Sequence, residues 1–410
     1  MFKLLLGFLI VGHTLCAQTI EEIRLVGLEK TNEEFVRDFL YSKLGNTYDK
    51  EVFAEDFASL NRLNLFFSLD SSIRFQGEKV ILECRFVEAY YLYPIAYVDG
   101  FNDIIKTQVG FNQINFRGRF QNLGAQHQWY GRHSFSLYWK APFLTRKWGL
   151  EASAAKYSTI EPLFGLGRTS EFNFDNYSLQ FSPIRWLNTK TKLGVSLAGF
   201  KEFYRQNDTI NIGIPGTDFE FEKGQVKVFL EHNNLQYRED QVDGFQVKSL
   251  LETVQTKGFP EASFLKGEIE AKWFHSVGER INLAARLKSG WATNNESPFS
   301  PYGVDGFVNV RGAGNRIARG TAIQTVNLEF RNRLLRHPWC FVQMLALVDC
   351  AFLREPGANY EWNTNQVYTS YGIGTRVQLR KFYKTVFRLD VATLERNFEP
   401  QLVFGFNHYF

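Results

Sequence analysis

Beyond its first twenty positions the sequence has no apolar run of about 18 residues, so no helical membrane span is expected. The longest candidate, FVQMLALV from Phe341 to Val348, suits a strand and is too short for a spanning helix. Cysteine is scarce. Past Cys16 the chain holds Cys84, Cys340 and Cys350, an odd number without metal-like spacing, so no disulfide framework or zinc site is indicated. Cys340 and Cys350 fall on one extended stretch, where ten residues at ~3.3 Å each would hold them ~33 Å apart, beyond disulfide reach. An excess of one charge is missing as well. Lys and Arg number 47 against 43 Asp and Glu, for a net charge of +4, and the two signs alternate along the chain. No basic face for nucleic acid is implied. There is no Gly-x-Ser-x-Gly elbow, His-Glu-x-x-His, P-loop or Cys-x-x-Cys, and the seven histidines are not spaced as ligands. The lone GLG at 165–167 reads as a turn. The sequence therefore suggests no catalytic residue, cofactor or metal, and points away from an enzyme.

The first residues, MFKLLLGFLIVGHTLCAQ, carry a positive Lys3, an apolar Leu4–Val11 stretch and the small Ala17, the pattern of a signal peptide over 1–17. Thr14 and Leu15 stand where small residues precede a lipoprotein cysteine, which counts against acylation of Cys16. The chain is thus expected to be exported. Aromatics make up 16% (40 Phe, 18 Tyr, 8 Trp), yet the mean hydropathy is −0.25. Many aromatics in a chain that is hydrophilic on average suit a membrane β-barrel, whose strands face lipid on one side and water on the other.

Residues 18–90 read as a small α+β domain of order β-α-α-β-β. IEEIRLVG from Ile20 alternates as a strand. Thr31 with Glu34 forms a capping box for a helix whose stripe is Phe35, Val36, Phe39, Leu40 and Leu44, ended by Gly45. Asp49 caps a second helix with Phe53, Phe57, Leu60 and Leu63 on one face, and strands over 68–76 and 79–87 meet at Gly77. VGLEKTNEEFVRDFL, GNTYDKEVFAEDFASLNRLNLF and VILECRFVE together resemble a POTRA domain, the periplasmic module of BamA/TamA-type outer-membrane assembly factors (the bacterial surface antigen family), here in a short form with a single such domain.

From residue 91 to 410 the chain reads as strands and turns. In INLAARLKSGW, Ile281, Leu283, Ala285, Leu287 and Trp291 share one face, opposite Arg280, Asn282, Arg286 and Lys288. LKGEIEAKW repeats the pattern, with Lys266, Glu268, Glu270 and Lys272 opposite Leu265, Ile269, Ala271 and Trp273; VNLEFRN and TVFRLDV follow suit. A face with so many charges cannot enter a dry core. A soluble sandwich would leave it in water, but the alternation recurs throughout and includes QLVFGFNHYF, where Leu402, Phe404, Phe406 and Phe410 share a face. A closed barrel fits better. At roughly 20 residues per strand and loop the region holds about sixteen strands, and direct parsing finds between fourteen and sixteen. The fold class is mainly β, a 16-stranded antiparallel transmembrane barrel with one N-terminal periplasmic α+β domain.

One segment departs from the alternation. GFVNVRGAGNRIARG, 306–320, is rich in glycine and arginine, and its VRGAGN resembles the V-R-G-Y/F motif of this superfamily. That resemblance implies a loop, about 296–320, folded into the lumen, with Arg311 meeting acidic residues on the next two inner-wall strands, here Glu329 and Asp349. A guanidinium can fork onto two carboxylates and tether a loop whose glycines give it high backbone entropy. Gly312 would let the backbone approach the wall. Two positions depart from the family pattern: Ala313 replaces the aromatic, and Asp349-Cys350-Ala351 replaces Asp-x-Gly.

The barrel's closing seam is expected between YLYPIAYV, with Pro94, and the last strand, with Gly405 and Phe410. Proline cannot donate to a ladder and glycine weakens one, so the joint should be poorly bonded. The resemblance implies an outer-membrane insertase whose partners are unfolded outer-membrane protein clients, the lipid bilayer and accessory lipoproteins, and excludes nucleic acid. The alternative is a polypeptide translocation pore of the two-partner secretion type, which normally carries two POTRA domains and a plug helix.

Overall fold

The computed structural model describes residues 18–99, 106–166, 168–214, 216–238, 240–257, 263–294, 299–306, 308–314, 317–357, 366–379, 386–396, 398–406 and 410. The proposed signal peptide, 1–17, lies outside them.

The N-terminal unit runs β1 (Thr19–Val26), α1 (Glu33–Phe39), α2 (Lys50–Arg62), β2 (Phe66–Gln76) and β3 (Lys79–Glu88). Its three strands are ordered β1-β3-β2, with β1 parallel to the central β3. The core is built from Ile20, Ile23, Val36, Leu40, Phe53, Leu60, Leu65, Val80, Leu82 and Cys84. Asp49 caps α2 as expected, accepting from the Glu51 and Val52 amides. The first helix differs from expectation. Its N-cap is Asn32, whose side chain accepts from Phe35 N, and its C-cap is Leu40 rather than Gly45. Thr31 is drawn away by tertiary contacts: its amide donates to Glu88 and its hydroxyl lies 3.1 Å from that of Tyr91. With α1 only seven residues long, Leu44 lies beyond it, 56% exposed.

The barrel is formed by β4 (Leu92–Asp99), β5 (Lys106–Phe116), β6 (Gln121–Trp129), β7 (His133–Ala141), β8 (Trp148–Gly165), β9 (Arg168–Trp186), β10 (Thr191–Gln206), β11 (Asp218–Asn233), β13 (Gln241–Lys257), β14 (Phe264–Val277), β15 (Ile281–Ala292), β18 (Ala322–His337), β19 (Cys340–Arg354), β20 (Val367–Leu379), β21 (Val386–Leu394) and β22 (Pro400–Phe406). These sixteen strands close antiparallel on one another, β22 pairing with β4. The short β12 (Gln236–Arg238) is added beside β13, and β16 (Tyr302–Val304) pairs with β17 (Ala318–Gly320) as a separate ribbon.

The alternation sorts side chains as the pattern demands. On β15, Leu287 and Trp291 are 53% and 47% exposed, whereas Asn282 and Arg286 are 1% and 8% exposed. Inward charges pair across strands, including Lys192–Glu231, Lys223–Glu202 and Lys288–Glu268. The outer face carries Leu, Val, Phe and Trp, an arrangement stable only when lipid covers it. Cys340 and Cys350 both sit on β19 as free thiols.

The turns at one end, 117–120, 142–147 and 187–190, are short, and the N-terminal unit packs against them. Asn32 N donates to Gly118 O at 2.8 Å. Phe39 meets Phe143 edge-on, Phe143 stacks on Trp186, and the Arg146 guanidinium lies 3.2 Å from the Tyr41 ring centroid.

Candidate functional site

The ribbon β16–β17 and the segment between its strands lie inside the barrel, and its tip carries the most enclosed arginine among the described residues. Arg311 is 0% exposed. Its Nε and backbone N donate to Asp349 Oδ2 at 2.8 and 3.0 Å, and its Nη2 donates to Asp349 Oδ1 at 2.8 Å. The remaining Nη1 donates to Glu329 Oε1 at 2.5 Å. The structure thus brings together Arg311, Glu329 of β18 and Asp349 of β19. Parity explains the two carboxylates: each lies on the inward face of a strand whose alternate residues, such as Leu328 and Val348, face out.

The cluster is larger than the motif. Asp390 of β21 lies 3.8 Å from Arg311. Arg376 of β20 donates to both Asp390 oxygens at 2.5 and 3.2 Å, Arg331 Nε donates to Glu329 Oε2 at 2.7 Å, and Arg388 Nε is 3.7 Å from Asp390. Asn327 donates to Asp349 Oδ1 at 2.8 Å, and the Ser370 hydroxyl donates to the Arg311 carbonyl. Three carboxylates therefore share four guanidinium groups, all nearly sealed from solvent. Buried ions are tolerable only when so closely matched. Sequence reading did not find Asp390, Arg376, Arg388 or Ser370. The alternation of TVFRLDV puts Arg388 and Asp390 on the charged face, but nothing local says that this strand faces the loop tip.

Gly312 adopts φ +82°, and a Cβ built there would lie 2.7 Å from Ala392 O on β21. Any side chain would collide with the wall and strain the backbone as well. Ala313 is buried among Val304, Val310, Leu353, Tyr368 and Leu394, so apolar packing persists where the family's aromatic is missing. The loop is also held elsewhere. Arg286 Nη1 donates to Val308 O at 2.9 Å, Arg319 pairs with buried Glu161 of β8, and the Phe299 ring sits 5.5, 5.9 and 5.3 Å from those of Tyr204, Phe219 and Phe221. Positions 295–298, 307 and 315–316 of the expected loop lie outside the described residues.

At the seam, the pairs that β22 and β4 share among the described residues are Val403–Asp99, Phe404–Val98 and Gly405–Tyr97. On either side the register is longer, from Phe387–Phe406 to Thr393–Pro400 and from Leu92–Gln113 to Asp99–Lys106. Gly405 is in the joint, and a Cβ there would lie 2.9 Å from the Tyr97 ring. Pro94 is on β4 but outside the three pairs, opposite Phe111 of β5. Phe410 is not on the seam strand or its lipid face. β22 stops at Phe406, and the Phe410 ring lies 6.3 Å from that of Phe274 and 5.9 Å from the Arg331 guanidinium. Phe274 and Arg331 are buried inside the barrel, where an apolar cluster with Leu235 and Ala284 offers an aromatic ring both packing and a cation.

No family model and no curated protein matches the sequence. Solved structures do. BamA from Haemophilus ducreyi lacking POTRA domains 1–3 aligns over 95% of this chain and 84% of that one, at 13% identity and TM-score 0.58. CdiB from Acinetobacter baumannii aligns over 95% and 73%, at 13% identity and TM-score 0.62. CdiB from Escherichia coli aligns over 95% and 76%, at 10% identity and TM-score 0.65. The chain thus has the fold of BamA and CdiB, with a closed barrel of sixteen strands. In outer-membrane barrels the short turns face the periplasm, and the N-terminal unit sits at the short-turn end.

Proposed function

We propose that this protein is an outer-membrane insertase, assembling β-barrel clients by pairing their strands at the β4–β22 seam. One observation supports this above the others: among the described residues three pairs close the barrel at the seam, while a lumen loop is tied to the wall by the Arg311 cluster. A strand edge short of partners in lipid is costly, so an incoming strand that supplies hydrogen bonds is drawn to it. The client then folds by β-augmentation, driven by burial of its lipid-facing surface, with no nucleotide. Gly405 lets the Tyr97 ring lie over the joint, and Pro94, on the same strand as Tyr97, has no amide hydrogen to donate to a ladder.

In this reading Arg311 is an anchor, not a catalyst. With Gly312 it keeps the loop on Glu329 and Asp349 and stiffens β18 to β21 beside a yielding seam. The N-terminal unit acts as a POTRA domain, offering its edge strand to unfolded clients before they reach the membrane. Accessory lipoproteins would bind on the periplasmic side.

The structural neighbours include both an insertase, BamA, and a two-partner secretion translocator, CdiB, so a polypeptide pore is the competing reading. The loop weighs against it, because a segment held inside the barrel at Arg311 and at Phe299 narrows the room left for a polypeptide. The test is a disulfide across Val98→Cys and Phe404→Cys, which are paired residues. In liposomes the oxidised protein should fail to assemble client barrels, and reduction should restore assembly. Undiminished assembly by the locked form would reject the seam. Loss of a single exported protein on depletion, with the outer-membrane proteome intact, would favour the pore.

A further inference from the structure

The outer wall is not uniformly apolar. Across β5 to β11, a groove of about 1060 Å³ runs between two rows of outward side chains. The row nearer the extracellular end includes Phe135, Lys156, Tyr177 and Lys201; the row below includes Leu137, Ala154, Leu179 and Gly199. The lower row is gapped, since Ala154 and Gly199 flank Leu179, which stands 69% exposed. A Cβ built on Gly199, or on its partner Gly224, meets nothing within 4 Å.

Charge collects on the upper rim. Arg132 pairs with Asp175 at 2.5 Å, Lys201 with Glu220 at 3.7 Å, and Lys257 with Glu222 at 3.6 Å. Lys156 has no carboxylate within ion-pair distance among the described residues; its ammonium lies 5.9 Å from the Tyr177 ring centroid. Lys201 lies 5.1 Å from the Phe203 ring, which meets Tyr177 edge-on at 6.1 Å. The two lysines thus flank an aromatic pair, one unpaired and the other in a long, exposed ion pair.

Height fits a headgroup. Trp148 starts β8 at the periplasmic end, and Lys156 follows eight residues later. At ~3.3 Å per residue and a tilt of roughly 40°, that places Lys156 about 20 Å up the wall, close to the top of an apolar band about 25 Å tall. Lysines that extend along apolar surface to a headgroup plane are suited to phosphate.

We propose that this groove is a binding site for an outer-leaflet lipid with a phosphorylated headgroup, its phosphate held between Lys156 and Lys201 and an acyl chain laid beside Leu179 over Ala154 and Gly199. Charge complementarity selects this occupant, since on the rim the cations Arg132, Lys156, Lys201 and Lys257 exceed the carboxylates Asp175, Glu220 and Glu222, and the floor is apolar.

The full chain, in nanodiscs of phosphatidylcholine doped with bis-phosphorylated lipid A, would be extracted and its retained lipid counted by native mass spectrometry. Lipid A should be retained in preference to phosphatidylcholine. Replacing Lys156→Gln and Lys201→Gln together should reduce retention by about fivefold per lysine, from roughly 1 kcal/mol for each. Gly199→Leu, which fills open space without touching protein, should reduce it with both lysines intact, whereas Lys79→Gln in the N-terminal unit should not. Retention unchanged in the double lysine variant, or equal retention of phosphatidylcholine by the wild type, would overturn the proposal.

Discussion

The strands β18 to β21 and the seam between β22 and β4 are neighbours in one barrel, yet they are held by opposite means. On the first, three carboxylates and four guanidinium groups interlock away from bulk solvent, and a loop backbone is pressed against the wall at Gly312. At the second, three residue pairs among the described residues and a tyrosine over a glycine complete the ring. A barrel needs closure to avoid a bare edge, but closure can be distributed unevenly. Where every buried charge depends on its neighbours, the wall moves as a block or not at all. Where the ladder is short, opening one joint costs little.

The sharpest way to break that contrast is to remove the arginine. Arg311→Ala leaves Glu329 and Asp349 short of their shared partner and should destabilise the folded barrel by about 3–5 kcal/mol. The readout is the temperature at which the heat-modifiable form is lost on cold electrophoresis. Arg311→Lys should recover only part of this, because an ammonium cannot fork onto two carboxylates.

Gly312→Val comes next. It meets the Ala392 carbonyl at a positive φ, with an expected cost of about 2–3 kcal/mol in the same assay. A Gly357→Val control also has positive φ but no atom near its Cβ, so it should cost less. Equal losses would show that backbone strain alone, not the wall, accounts for the effect.

On the seam side, Gly405→Val drives a side chain into Tyr97 and should weaken the joint by about 1–3 kcal/mol. Oxidation of the Val98→Cys, Phe404→Cys pair should then slow severalfold, with little change in global stability. A large global loss would mean that the seam is no weaker than the rest.

The smallest effect lies where the N-terminal unit docks. Burial at Glu55 would by itself raise its carboxyl pKa, but hydrogen bonds from the Thr189 hydroxyl and from Arg62 bring it below its ordinary 4.5. A depressed folded pKa contributes stability above the ordinary value and loses it as pH falls through the folded one. Its carboxylate is 42% exposed, so the contribution is under about 1 kcal/mol. Hydrogen exchange in α2 should rise slightly below pH 4.5, and Glu55→Gln should flatten that rise.

Legibility in the sequence followed the range of the interaction. Strand alternation, the Asp49 cap and the Gly77 turn depend on residues close in the chain and could be read there. Thr31 was misread as a cap because Glu88 and Tyr91, far away in sequence, compete for its polar groups. Phe410 was read as a seam residue from the two-residue repeat, yet its ring meets Phe274 and Arg331 in the lumen. Asp390 and Arg376 escaped because a charged inward residue looks the same whether it faces water or an arginine.

The sequence by itself determined which residues face lipid and which face the lumen, since that parity follows from a two-residue repeat and the cost of burying charge. It also supplied the loop arginine and, through family resemblance, two of its carboxylates. Tertiary structure alone decided the third carboxylate and the arginines around it, the lumen position of Phe410 and the brevity of the seam. Those depend on which strands closure brings side by side, and closure is a property of the whole ring rather than of any local stretch.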